Sequence, residues 1–369
     1  MKKFILKYKF IILLFIFTRV IYTIIGVYSF PSRQAFNIYP SDTHKYSTLP
    51  YANFWGKWDT KYYLEIAKTG YSSEKNAEGK ANYAFFPMYP LLIKLLTPLF
   101  AGKFFIAALV ISNISFLIAC ITLFELATSI YGKDSALRII KYVFLLPTSF
   151  LFSAPLSESL FFALLCAVFY FANKRLWKIS SILGFFLALT RPIGVLVWLP
   201  LLVEILDSKD SNRSKFWGIV WLTLIPIGLI LFSIFNKSLT GDAFSFISIQ
   251  VLWDRQITNP FYLLSMMFLF PNPYNTFIFY YSSIILLISA FYFKKLKPTY
   301  WILLILLIIV PLSTGPQSIL RLSIPIFPLY FVLADIAKNK DFDYLLSISL
   351  SILQGALVVA WISGSTLIV

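Results

Sequence analysis

Long apolar runs, each ended by a short polar stretch, leave this chain few folds to choose from. Such runs cover residues 10–28, 104–130, 139–153, 160–172, 179–190, 193–205, 216–235, 276–293, 300–312, 322–337 and 344–366. None alternates apolar and polar side chains as a barrel strand does. Inside lipid, a helix is then the element that satisfies its own backbone. Of the 369 residues, 59% are hydrophobic and 13% charged, where soluble domains have roughly 45–50% and about 25%. A soluble chain of this length could not hide so much apolar surface. The expectation is an all-α polytopic membrane protein with about eleven transmembrane helices.

The net charge of +16 belongs to the same pattern and gives no nucleic-acid footprint. Basic residues gather at alternate span ends, the positive-inside arrangement. Lys2, Lys3, Lys7 and Lys9 precede the first run and put the N-terminus in the cytoplasm. No small-x-small cleavage site follows that run, so it reads as an uncleaved span rather than a signal peptide. Lys133, Arg138 and Lys141, then Lys174, Arg175 and Lys178, then Lys209, Arg213 and Lys215 mark cytoplasmic turns. So do Lys294, Lys295 and Lys297, and Lys338 with Lys340. The opposite turns carry at most one cation each, Arg191 or Arg321. Residues 29–103 form a first extracytoplasmic loop with interfacial helices, one of them at 58–71 and another starting at the prolines of 85–90. Residues 237–273 form a second external region, with 261–270 re-entrant. The whole chain reads as a single transmembrane domain without internal repeats. Cys120 and Cys166 sit in apolar runs, and His44 has no His or Cys neighbours, so neither a disulfide framework nor a His/Cys metal site is expected. P-loop, G-x-G-x-x-G and H-E-x-x-H motifs are missing from the sequence.

Ionisable residues near membrane depth are costly and tend to serve function. Here they are Asp59, Glu158, Arg191, Asp254, Arg255 and Arg321, and the topology puts all of them at external span ends. Together they could hold a sugar, a phosphate and a base. Asp59 lies between Trp58 and Tyr62. It reads either as a helix N-cap for the following residues or as a general base in a partly dry pocket. Glu158 either complements a helix dipole or anchors a ligand. Arg191 and Arg321 need anions, either as partners of Glu158 or as phosphate contacts. Asp254 and Arg255 read as a solvated loop pair, and Lys57 and Lys61 as headgroup contacts. Trp55, Trp58, Tyr62, Tyr63, Tyr71, Phe85, Phe86 and Tyr89 suit an interfacial aromatic belt, although such faces also stack on sugars.

At these residues the chain resembles the PIG-V family of mannosyltransferases, relatives of GPI mannosyltransferase II within the GT-C class of membrane glycosyltransferases. The resemblance runs through Trp58-Asp59, Ile66-Ala67…Gly70-Tyr71, Phe85-Phe86-Pro87…Tyr89-Pro90, Ser157-Glu158…Leu160-Phe161 and Thr190-Arg191…Gly194, and more loosely Arg321…Pro325…Pro328. It implies a polyprenyl-phosphate sugar as donor, a lipid or glycan hydroxyl as acceptor, and inversion at the anomeric carbon. Asp59 would be the catalytic base, with Trp58, Tyr62, Glu158, Arg191 and Arg321 around the substrate. No cofactor or metal is demanded. The site would face the extracytoplasmic side, of the plasma membrane in a prokaryote. A non-catalytic polyisoprenoid-lipid transporter and a membrane scaffold subunit are the competing readings.

Overall fold

The computed structural model describes residues 2–29 and 45–365. The start of the expected first loop and His44 therefore lie outside the described residues. Every element among the described residues is helical. Each of the expected apolar runs holds a helix, but their lengths differ more than a set of eleven equal spans would require. Lys9–Ser29, Phe104–Tyr131, Asn212–Thr240, Pro273–Phe291 and Lys340–Ser363 are the 5 that are long and apolar enough to cross a membrane. The others are shorter: Lys133–Leu145 has 13 residues, Glu158–Asn173 has 16 and Phe327–Ile336 has 10.

Packing accounts for the difference. The long helices other than Phe104–Tyr131 turn most of their surface outward, exposing Leu13, Phe17, Ile230, Ile234, Phe291 and Ile352, as lipid contact requires. Glu158–Asn173 is almost wholly buried, between Phe104–Tyr131 and Trp177–Ala188. Phe116 stacks on Phe152 at 4.6 Å, and Phe152 on Phe162 at 5.0 Å. Such an inner helix is shielded by its neighbours and need not match the bilayer by itself.

The polar stretch at 54–71 is held inside this body. Residues Thr60–Thr69 form the expected helix, with Tyr62, Tyr63, Leu64, Ile66 and Ala67 buried. Lys57 is buried too, and its ammonium donates to the Ile362 carbonyl at 3.1 Å. This overturns the headgroup expectation. The last carbonyls of a helix have no helical partner, and a cation there also complements the dipole. The Trp361 indole donates to the Phe54 carbonyl at 3.1 Å, so the C-terminal helix docks on the loop. The aromatic belt is corrected in the same way: Trp55, Tyr62, Tyr63, Phe86 and Tyr89 are buried. They form the interior of a folded loop, and rings that lie in an apolar sequence context can be claimed by protein as readily as by headgroups.

Candidate active site

Four side chains from four separate segments meet in one chain of ion pairs. Asp59 stands at the N-cap of Thr60–Thr69, yet its carboxylate makes no capping hydrogen bond. It lies instead 2.7 Å from Arg321 Nη2. Arg321 Nε is 3.0 Å from Glu158 Oε1, and the same oxygen is 2.8 Å from Arg191 Nη1. Only the ends retain some contact with the surroundings: side-chain exposure is 16% at Asp59 and 11% at Arg191, against 2% at Glu158 and 5% at Arg321.

Local backbone explains how each residue arrives. Trp58 adopts a left-handed φ of 53°, a conformation costing about 1–2 kcal/mol for a non-glycine residue, and it turns the chain abruptly into Asp59. Glu158 is the first residue of its helix. The hydroxyl of Ser157 beside it pairs with Tyr63 Oη at 2.8 Å, which ties the Asp59 helix to the Glu158 turn. Tyr89 Oη pairs with Ser112 Oγ at 2.8 Å, and Ser112 donates to the Leu156 carbonyl at 3.2 Å, bracing that turn from behind. Arg191 is extended, just past Trp177–Ala188, and Pro192 opens the next helical turn. Arg321 sits in Ile319–Leu322, entered through a left-handed Ser318.

Gly194 makes the Arg191 turn possible. A methyl at this position would run into the backbone carbonyl of Leu187. Because the obstacle is backbone rather than a rotatable side chain, Gly194→Ala should destabilise the protein by about 1–3 kcal/mol. A lowered melting temperature in detergent would report it.

The cluster is charge-paired but leaves hydrogen-bonding capacity unused. Arg191 Nη1 and Arg321 Nε are close to Glu158 without good alignment. Arg321 Nη1 and Glu158 Oε2 are buried without a hydrogen-bond partner among the described residues. Buried polar atoms are rarely left so, and Arg321 is the residue that pairs with Asp59. Tyr62 lies to one side. It stacks on Phe85 at 4.6 Å with Trp253 edge-on at 5.9 Å, and burial pushes its phenol up to about 12. Trp58 is half-buried beside Asp59.

The sequence reading misplaced one candidate and missed another residue. Asp254 and Arg255 do not form a solvated pair. Asp254 has a left-handed φ of 55° and is exposed, whereas Arg255 turns inward. Its Nε is buried without a hydrogen-bond partner among the described residues, and it interacts electrostatically with Arg321, Asp59 and Arg191. No local sequence signal distinguishes this from a surface Asp-Arg pair. Arg19, in mid-helix, could have been found as a cation inside an apolar run. Its Nε donates to Asn113 Oδ1 at 3.0 Å, and its guanidinium lies over Phe15 and Phe116 at 4.3 and 4.7 Å. Arg19 is thus accommodated by an amide and two aromatic faces rather than by a carboxylate.

This all-helical architecture shares its fold with solved membrane proteins. It is similar to the solved structure of ArnT from Cupriavidus metallidurans bound to undecaprenyl phosphate, with a TM-score of 0.53 and 14% identity over 92% of this chain. The alignment spans 63% of that longer chain. Archaeal oligosaccharyltransferase AglB from Archaeoglobus fulgidus, in complex with an inhibitory peptide and a dolichol-phosphate, gives a TM-score of 0.49 and 13% identity over 98% of this chain and 56% of its own. No curated protein matches by sequence. The family described as Mannosyltransferase (PIG-V) matches residues 3–199, and the chain belongs to that family.

Proposed function

We propose that this protein transfers a mannosyl unit from a polyprenyl-phosphate-linked donor to a hydroxyl of a lipid or glycan acceptor, with inversion, at an extracytoplasmic site centred on Asp59. The observation that carries the proposal is the Asp59–Arg321 pair, in which Arg321 is buried and Asp59 partly exposed. It sets a proton acceptor beside a cation suited to a leaving phosphate. Asp59 takes the acceptor's hydroxyl proton, and the freed oxygen pair attacks the anomeric carbon. The bond from that carbon to the phosphate oxygen breaks, and polyprenyl phosphate leaves with the electrons. A single displacement of this kind inverts the anomeric centre. Arg321 opposes the charge that develops on the leaving oxygen, as preorganised donors do in other transfers. Arg191 acts through Glu158, holding it in place for Arg321.

The two ends of one helix support this side. Glu158 begins its helix and Arg175 lies just beyond the far end, roughly 24 Å away at 1.5 Å per residue. At that far end Glu204 takes Lys297 at 2.6 Å, Arg175 at 3.4 Å and Thr299 at 2.7 Å. Lys141 pairs with Asp343 at 2.8 Å. The basic turns read as cytoplasmic therefore pair with one another, Arg175 with Lys297 through Glu204 and Lys141 with the start of the last helix. Residues 29–103 and 237–273 would both contribute to the single domain's outer face.

The test is transfer itself. Purified protein in liposomes, given radiolabelled polyprenyl-phosphate mannose and a crude lipid extract, should yield a new labelled glycoconjugate. Movement of the donor across the bilayer with no glycosidic product would overturn the proposal in favour of a transporter, and inertness in both assays would favour a scaffold.

A further inference from the structure

Among the described residues, the charges gathered around Asp59 do not balance. Asp59 and Glu158 supply two carboxylates, while Arg191, Arg321 and Arg255 supply three guanidiniums. Arg321 is engaged by both carboxylates and Arg191 by Glu158, so the surplus cation is Arg255. Its segment is fixed in place. Arg255 N donates to the Gln250 carbonyl at 3.2 Å, and Thr258 N to the Ser313 carbonyl at 2.7 Å. Gly315 abuts the backbone of Asp254 and Arg255, so this loop and the turn leading to Arg321 form one wall. Trp253 in the same loop packs on Tyr62 and Phe85, joining the wall to the Asp59 helix. Burial lowers the Arg255 guanidinium to about 10, which still leaves it charged at neutral pH.

We infer that Arg255 is the phosphate anchor of this site, and that the loop around Trp253–Arg255 binds the phosphate of a polyprenyl phosphate, both in the donor and in the released product. The inference rests on the proposed function for the identity of the lipid. A cation whose Nε is buried without a hydrogen-bond partner among the described residues is expensive, and a sugar phosphodiester brings the one negative charge that closes the balance. The product monoester brings more charge, so it should bind more tightly than the donor and inhibit. Binding by Arg255 also leaves Arg321 Nη1 free for the oxygen that departs.

The experiment compares wild type with Arg255→Gln and Arg255→Lys in detergent. The probes are polyprenyl phosphate and, separately, phosphatidylglycerol. Without ligand, Arg255→Gln should melt about 1–3 °C above wild type, since it removes a repelled cation. Polyprenyl phosphate should raise the melting temperature of wild type and not of Arg255→Gln, with Arg255→Lys intermediate because it keeps the charge but not the fork. In transfer assays, the donor KM and the product inhibition constant should both rise about tenfold or more in Arg255→Gln, as loss of a charged hydrogen bond implies, with kcat falling less. Equal stabilisation of wild type and Arg255→Gln would overturn the inference. So would equal effects of phosphatidylglycerol, which would assign the site to bulk headgroups, or failure of Arg255→Gln to fold, which would contradict the surplus charge. If no donor is turned over at all, the proposed function fails, yet the melting comparison still decides whether Arg255 binds a lipid phosphate.

Discussion

Asp59→Asn should lower the rate of sugar transfer by about 10²–10⁴-fold, the usual contribution of a general base, while leaving a folded protein. The substitution keeps the shape of the side chain. Its amide oxygen can still accept from Arg321 Nη2, now 2.7 Å from the carboxylate. What it removes is a lone pair basic enough to take a hydroxyl proton. Because the side chain makes no capping hydrogen bond, the Thr60–Thr69 helix loses nothing by the exchange. The change also makes the cluster more positive, so the donor KM should not rise. Initial rates at varied donor concentration, alongside melting temperature, separate this kcat effect from the KM effect expected at Arg255. Turnover within a few-fold of wild type would remove Asp59 from the chemistry.

The convergence of Asp59, Glu158, Arg191 and Arg321 was legible in the sequence because membrane topology is a strong constraint. Glu158, Arg191 and Arg321 each lie where an apolar run begins or ends, Asp59 lies in the long polar interval after the first run, and the pattern of basic turns assigns all four to the same end. The start of the helix at Thr60 and the proline-led helix Met88–Leu96 were legible for the same local reasons. What stayed hidden depends on tertiary contacts. Lys57 in a polar loop looks like a headgroup residue until a helix C-terminus more than 300 residues later reaches it. Arg255 looks solvated until one left-handed residue before it turns the side chain inward. Helix length misled as well, since sequence does not say which helices are sheltered by others. Glu158–Asn173 is short because it lies inside, and that position is also why its first residue can carry a buried carboxylate.

Glu158→Leu should be the most destabilising substitution in the cluster, by about 3–5 kcal/mol, the range for breaking a buried ion pair from one side. One carboxylate oxygen serves both Arg191, at 2.8 Å, and Arg321, at 3.0 Å. Removing it strands Arg191 entirely and leaves Arg321 with Asp59 alone, in a site that already holds a surplus cation. The sign of the second step distinguishes this account from simple loss of packing. Arg191→Leu in the Glu158→Leu background removes the stranded charge, so the double variant should recover part of the lost melting temperature. If Glu158 mattered only for the volume it fills, the second substitution would add to the damage. A double-mutant cycle read by thermal unfolding should therefore give a coupling of about 0.5–3 kcal/mol between the two positions. Sugar transfer should stay low in both variants, because Arg321 is no longer held from its far side and the leaving phosphate meets a guanidinium free to swing. Full activity in the stable double variant would mean that Arg321 needs only Asp59 to stay in place.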